Sequence, residues 1–140
     1  MTENEMKLWL NRAFYAKKKI IALTEYLNNL RHEITDVSVS YESDGASKSL
    51  NADNSTENKY LKYAEVEENI NAEISELEQI PEEIRAKIKL LKDNDLEAVL
   101  IHRYINCKTF EQTAEAMNYS VESVKKKNKK AVQELSKLYT

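Results

Sequence analysis

The chain has 140 residues, with a single glycine (Gly45), a single proline (Pro81) and 32% charged residues. So few turn-forming residues speak against a sheet protein, and abundant Leu, Ala, Glu and Lys predict an all-α fold of solvated helices. The net charge of −3 conceals a strong polarity, because residues 101–140 carry eight cationic side chains against four carboxylates, whereas 60–100 carry five against eleven.

Residues 1–6 are polar and acidic, unlike a signal peptide, and no apolar run approaches the roughly 20 residues that cross a bilayer. The lone cysteine, Cys107, allows no intramolecular disulfide. A cytoplasmic protein without a membrane partner is expected.

The first helix is predicted from about residue 3 to 35. Met6, Trp9, Ala13, Ala16, Ile20, Leu23, Leu27, Leu30, Ile34 and Val37 alternate spacings of three and four, the signature of a narrow coiled-coil seam. Such a rod must pack against another helix. Residues 38–58 are rich in Ser, Asn and Asp and read as a flexible linker. The alternation from Val37 to Tyr41 is too brief, and too isolated, to outweigh that reading as a strand.

A second helix is expected from about residue 57 to 92, on Tyr60, Tyr63, Val66, Ile70, Ile74, Leu77, Ile80, Ile84, Ile88 and Leu91. Pro81, followed by Glu82 and Glu83, suits the first turn of a helix that restarts after a kink or break. The two ladders imply an antiparallel hairpin or, if they pair between chains, a dimerising coiled coil; a homodimer is expected.

Residues 93–140 read as a separate domain. Asp93 and Asn94 are N-cap candidates for a helix from about Asp95 to Ile105 that buries Leu96, Val99, Leu100 and Tyr104. A short turn at 106–108 follows. Thr109 and Gln112 then form a capping box for a helix from Phe110 to Met117, burying Phe110, Ala114 and Met117. Asn118 tolerates the left-handed conformation needed at the next turn, and Ser120 caps a helix from Val121 to about Tyr139. Val124, Ala131, Leu135 and Leu138 form its buried stripe, and Lys125, Lys126, Lys127, Lys129 and Lys130 occupy its other faces. Ala114 is small where two helices must cross. These are the steric demands of a helix-turn-helix.

The stretch Leu96, Val99, Arg103, Tyr104, Thr109, Ala114, Ser120, Val124, Ala131 and Leu135 resembles region 4 of sigma-70-type factors. The chain as a whole, with a long helical pair ahead of that domain, resembles phage-encoded transcriptional regulators of the RinA/ArpU type. Asn118 stands where that pattern usually has glycine, and Thr113 and Asn128 where apolar residues are common. The resemblance implies a regulator acting on double-stranded promoter DNA, with RNA polymerase as a further partner. A small terminase-like DNA-packaging subunit and a non-DNA adaptor of the polymerase are the alternatives.

By position in such a motif, Ser120, Val121, Glu122, Ser123, Lys125, Lys126 and Lys129 face DNA. Glu122 suits a cytosine amino group, and Ser123 or a lysine suits phosphate or guanine. Catalysis is not indicated. His32, His102 and Cys107 lack metal-ligand spacing, no oxyanion-forming glycine loop accompanies Cys107, His102 and Glu111, and the pairs Glu67-Glu68 and Glu82-Glu83 read as solvated charge. No cofactor or metal is expected, and Tyr104 and Tyr119 read as packing residues.

Overall fold

The computed structural model describes residues 1–43 and 49–139, with side chains described for 1–35 and 57–139. It is all-α, and no strand occurs among the described residues. The order is α1 (Glu3–Ser43), α2 (Ser49–Ile88), a single 3₁₀ turn (Lys89–Leu91), α3 (Asn94–Leu100) continued by one π-type turn (Ile101–Ile105), α4 (Phe110–Met117) and α5 (Val121–Leu138).

α1 runs past its expected end, and α2 begins before its expected start but gives way to the 3₁₀ turn after Ile88. The backbone is helical through Ser43 and again from Ser49, so the brief Val37–Tyr41 alternation lies in a helix. Of the linker expected at about 38–58, residues 44–48 lie outside the described residues. Elongating an existing helix adds one hydrogen bond per residue ordered, which outweighs the modest helix propensity of Ser and Asn.

α2 also runs through Pro81 without the expected restart. Proline has no N–H, so the carbonyl of Leu77 receives no backbone bond from residue 81. The chain divides into two compact units, and on α2 the division falls between Leu77 and Glu78.

The unit of residues 19–77 is an antiparallel hairpin of α1 and α2. Lys19 pairs with Glu73 at 2.7 Å, while Arg31 donates to the Tyr63 hydroxyl at 2.7 Å and to Glu67 at 3.1 Å. Leu27 and Ile70 are buried, and Ile20, Leu23, Leu30, Ile34, Val66 and Ile74 are half-buried. The ladder seam faces inward, as the three-and-four spacing requires, and its partner helix belongs to the same chain.

The other unit, Met1–Lys18 with Glu78–Thr140, differs from the expected domain at 93–140. One apolar cluster contains Met6, Leu10 and Ala13 of α1, Ile84 and Ile88 of α2, Leu96, Leu100 and Tyr104, and Ala131, Val132 and Leu135 of α5. The short helices are too few to bury the broad apolar face of α5, and the ends of the long helices complete its cover. Leu10 lies off the α1 ladder yet is fully buried, because α1 here meets more than one neighbour.

Candidate nucleic-acid interface

The path into α3 is set by Asp93, in an extended conformation, whose carboxylate accepts from the Leu96 N–H at 3.1 Å. This satisfies one of the helix's free N–H groups and places a negative charge at the positive helix end. Leu96, Val99, Leu100 and Tyr104 are buried as expected.

The helix expected to continue regularly to Ile105 instead widens into the π turn. There Asn106 N–H donates to the Ile101 carbonyl at 2.8 Å, and Lys108 N–H donates to the His102 carbonyl at 2.9 Å. Cys107 reverses the chain with φ of 57°. Arg103 spans the turn: its guanidinium donates to the Lys108 carbonyl and lies 4.0 Å from the centre of the Phe110 ring.

α4 begins with the expected capping box. Thr109 Oγ1 accepts from Gln112 N–H at 3.1 Å, and the Gln112 side chain accepts from Thr109 N–H at 3.0 Å. Thr113 is fully buried, and its hydroxyl donates to the Thr109 carbonyl at 2.9 Å, which removes the cost of a polar group at an apolar position. Ala114 is buried, while Phe110 and Met117 are half-buried against a small cluster of Val99, Ala114 and Val124.

Asn118 adopts φ 57° and ψ 42°, supplying the reversal that glycine would otherwise provide. Tyr119 N–H donates to the Ala114 carbonyl at 3.0 Å, and Ser120 caps α5 by accepting from Ser123 N–H at 3.1 Å. Three residues thus separate two helices whose small facing residues, Ala114 and Val124, let them cross closely.

The α5 stripe comprises Val124, Asn128, Ala131, Val132, Leu135 and Ser136, all buried. Leu138, expected on it, is 56% exposed. It lies in the last turn, where Tyr139 covers the core instead, its ring 5.9 Å from that of Trp9.

Of the residues expected to face a partner, Ser120, Glu122, Lys125, Lys126 and Lys129 are exposed. Val121 and Ser123 are half-buried, with Val121 packed against the Val99 cluster. The structure adds Lys130, also exposed. It stands four residues after Lys126 and therefore on the same helix side, a spacing visible in the sequence. Lys126, Lys129 and Lys130 make no ion pair among the described residues, and Lys125 lies 5.7 Å from the Phe110 ring centre.

Lys127 is different. Its ammonium donates to Asp95 at 3.1 Å and sits 5.1 Å from the centre of the Tyr119 ring. The Tyr119 hydroxyl donates to the same carboxylate, 2.9 and 2.8 Å from its two oxygens. Hydrogen bonds from Tyr119 and then Lys127 hold the Asp95 carboxyl below its ordinary value, and the bond to Asp95 raises both Tyr119 and Lys127.

His102, in the π turn, has Lys108 Nζ 3.1 Å from its Nδ1. Burial, followed by the Lys108 charge, lowers its pKa. An ammonium has only protons to offer, so this contact suits a neutral imidazole whose Nδ1 accepts.

The arrangement presents a row of exposed ammonium groups, with the Glu122 carboxylate in the first turn, on a helix that follows a tight turn. Chemically it suits a polyanion, with the Glu122 carboxylate and the exposed Ser120 hydroxyl as hydrogen-bond acceptors beside the lysines. Comparison with protein-family models, curated proteins and solved structures gave no match.

Proposed function

We propose that the chain is a non-enzymatic regulator that binds double-stranded promoter DNA through α4, the Asn118 turn and α5 as a helix-turn-helix, with α5 entering the major groove. The observation that carries the reading is the outward row of Lys125, Lys126, Lys129 and Lys130 opposite the buried stripe of α5. An α-helix fits the major groove, and ammonium groups along its flanks meet the phosphates on either side. The resemblance to sigma-70 region 4 and to regulators of the RinA/ArpU type supports the same assignment. It suggests a phage origin, a cytoplasmic setting and RNA polymerase as a second partner. A homodimer matches the two half-sites that such motifs commonly read.

The test is a titration of the full chain against duplex DNA at several salt concentrations. Each lysine that neutralises a phosphate releases counterions, so Lys126→Ala or Lys129→Ala should flatten the salt dependence by about one unit of slope. Glu122→Ala should relax sequence preference without weakening binding to random duplexes. Unchanged affinity and slope in all three variants would show that α5 does not enter the groove. Binding accompanied by a solution mass many times that of the chain would favour the packaging-subunit reading, and no salt-dependent binding would favour the adaptor.

A further inference from the structure

Five lysines lie within 125–130, but one of them is used inside the protein. Lys127 follows Val124 by three residues and precedes Ala131 by four, so it flanks the buried stripe while the other four lysines face solvent. Asp95 lies in the first turn of α3, a different element, and Tyr119 lies in the turn before α5. Two other elements, the turn and α5, therefore converge on a single carboxylate of α3.

We propose that Asp95, Tyr119 and Lys127 are positioning residues that set the rotation of α5 about its axis, and that Lys127 consequently contacts no DNA. The inference rests on the DNA-binding reading and deepens it. α5 is otherwise held by a mainly apolar stripe, whose buried Asn128 makes one long hydrogen bond, 3.5 Å, to Tyr104, and apolar contacts are non-directional. The packing of Val124, Ala131 and Leu135 seats the helix, but it fixes its rotation less sharply than a hydrogen bond does. The bonds from Lys127 and Tyr119 to one carboxylate are directional, and they resist a roll of the helix at the end of α5 nearest the turn. The same end carries Glu122, Lys125 and Lys126, where a roll would displace the groups that meet base edges.

Two consequences separate this role from direct contact. A lysine bound to phosphate adds to the salt slope, whereas one bound to Asp95 releases no counterion when DNA binds. A lysine bound to phosphate also tightens all sequences alike, whereas a positioning group acts on the ratio of preferred to random sequence.

The experiment uses the full chain and two probes: the duplex most enriched from a randomised library by the wild type, and the unselected library itself. Lys127→Ala, Tyr119→Phe and Asp95→Asn should each lower the preference ratio about threefold to tenfold, a range suited to partly exposed charged hydrogen bonds. The salt slopes of Lys127→Ala and Tyr119→Phe should equal that of the wild type, in contrast to Lys126→Ala. Lys127→Arg should restore the ratio. Lys127→Glu should lose it, and Lys127→Glu combined with Asp95→Lys should regain part of it. Circular dichroism and thermal melting identify any variant that fails to fold, and Tyr119→Phe, which keeps the ring, stands in for it.

A slope for Lys127→Ala reduced as much as that of Lys126→Ala overturns the inference while leaving the DNA-binding reading intact. Unaltered preference in folded Tyr119→Phe and Lys127→Ala also overturns it. Absence of salt-dependent binding by the wild type overturns both.

Discussion

Asn128 and Tyr104 meet inside the core that α5 shares with α3: the Asn128 amide nitrogen donates to the Tyr104 hydroxyl at 3.5 Å, and its oxygen is buried with no partner among the described residues. The contact is long, so it offsets little of the cost of burying the amide. Asn128→Leu removes the orphaned oxygen and should be neutral or stabilising by up to about 1 kcal/mol. Tyr104→Phe removes only this long contact and should destabilise by less than about 1 kcal/mol. The double variant should fall above the sum of the two. Urea denaturation of the four proteins completes the cycle.

The shared core also predicts that residues 93–140 do not fold alone. Leu10 and Ile88 are buried in the same cluster as Leu135. Leu10→Ala should cost about 2–5 kcal/mol, the usual range for an emptied leucine site. The isolated 93–140 fragment should lack a cooperative melting transition. A sharp transition matching that of the full chain would contradict the cluster.

His102 makes stability depend on pH in one direction. Its pKa is lowered from an ordinary 6.5 by burial and by Lys108, so the unfolded chain binds the proton more readily than the folded one. Its contribution is fully present above about pH 6.5 and is lost as the pH falls towards the folded value. The urea midpoint should therefore decline from about pH 7 to about pH 5, and His102→Gln should flatten that decline. Asp95 acts separately: its lowered value removes stability only as the pH falls below its ordinary 3.8.

Dimerisation, if it runs through the hairpin of 19–77, must use residues that this hairpin leaves outside. Leu27 is 7% exposed, so Leu27→Asp should unfold the hairpin whatever the oligomeric state. Ile21 and Tyr26 are 59% and 51% exposed, respectively. Replacing both with Lys should leave the melting temperature nearly unchanged and halve the mass found by sedimentation. An unchanged dimer mass would place the interface elsewhere.

The caps were legible from residue order because each depends on neighbours within one helical turn. Asp93, the Thr109–Gln112 box, Asn118 and Ser120 all behave as their side-chain chemistry requires. The inward stripe of α1 was legible for the same reason, since spacing alone determines which side of a helix is apolar. The role of Leu10 was not, because it depends on α5 lying nearby, and nothing in the local pattern of α1 encodes that. The π turn at 101–105 has no compositional signal: Ile, His, Arg, Tyr and Ile are compatible with a regular helix. At the candidate interface the lysine row was legible, and the withdrawal of Lys127 from it followed only once Asp95 and Tyr119 were placed beside it.

The cluster joining Met6, Leu10 and Ala13 to Ala131, Val132 and Leu135 has a consequence for how the protein is made. Most helical proteins fold quickly because their contacts are local in sequence, yet this core closes only when residues from near the two extremes meet. On the ribosome, Met6 and Leu10 emerge long before Leu135 has been joined to the chain. Until translation reaches that point, the apolar side of α1 has no neighbour from α5, and a chaperone that holds exposed apolar segments would find its site there.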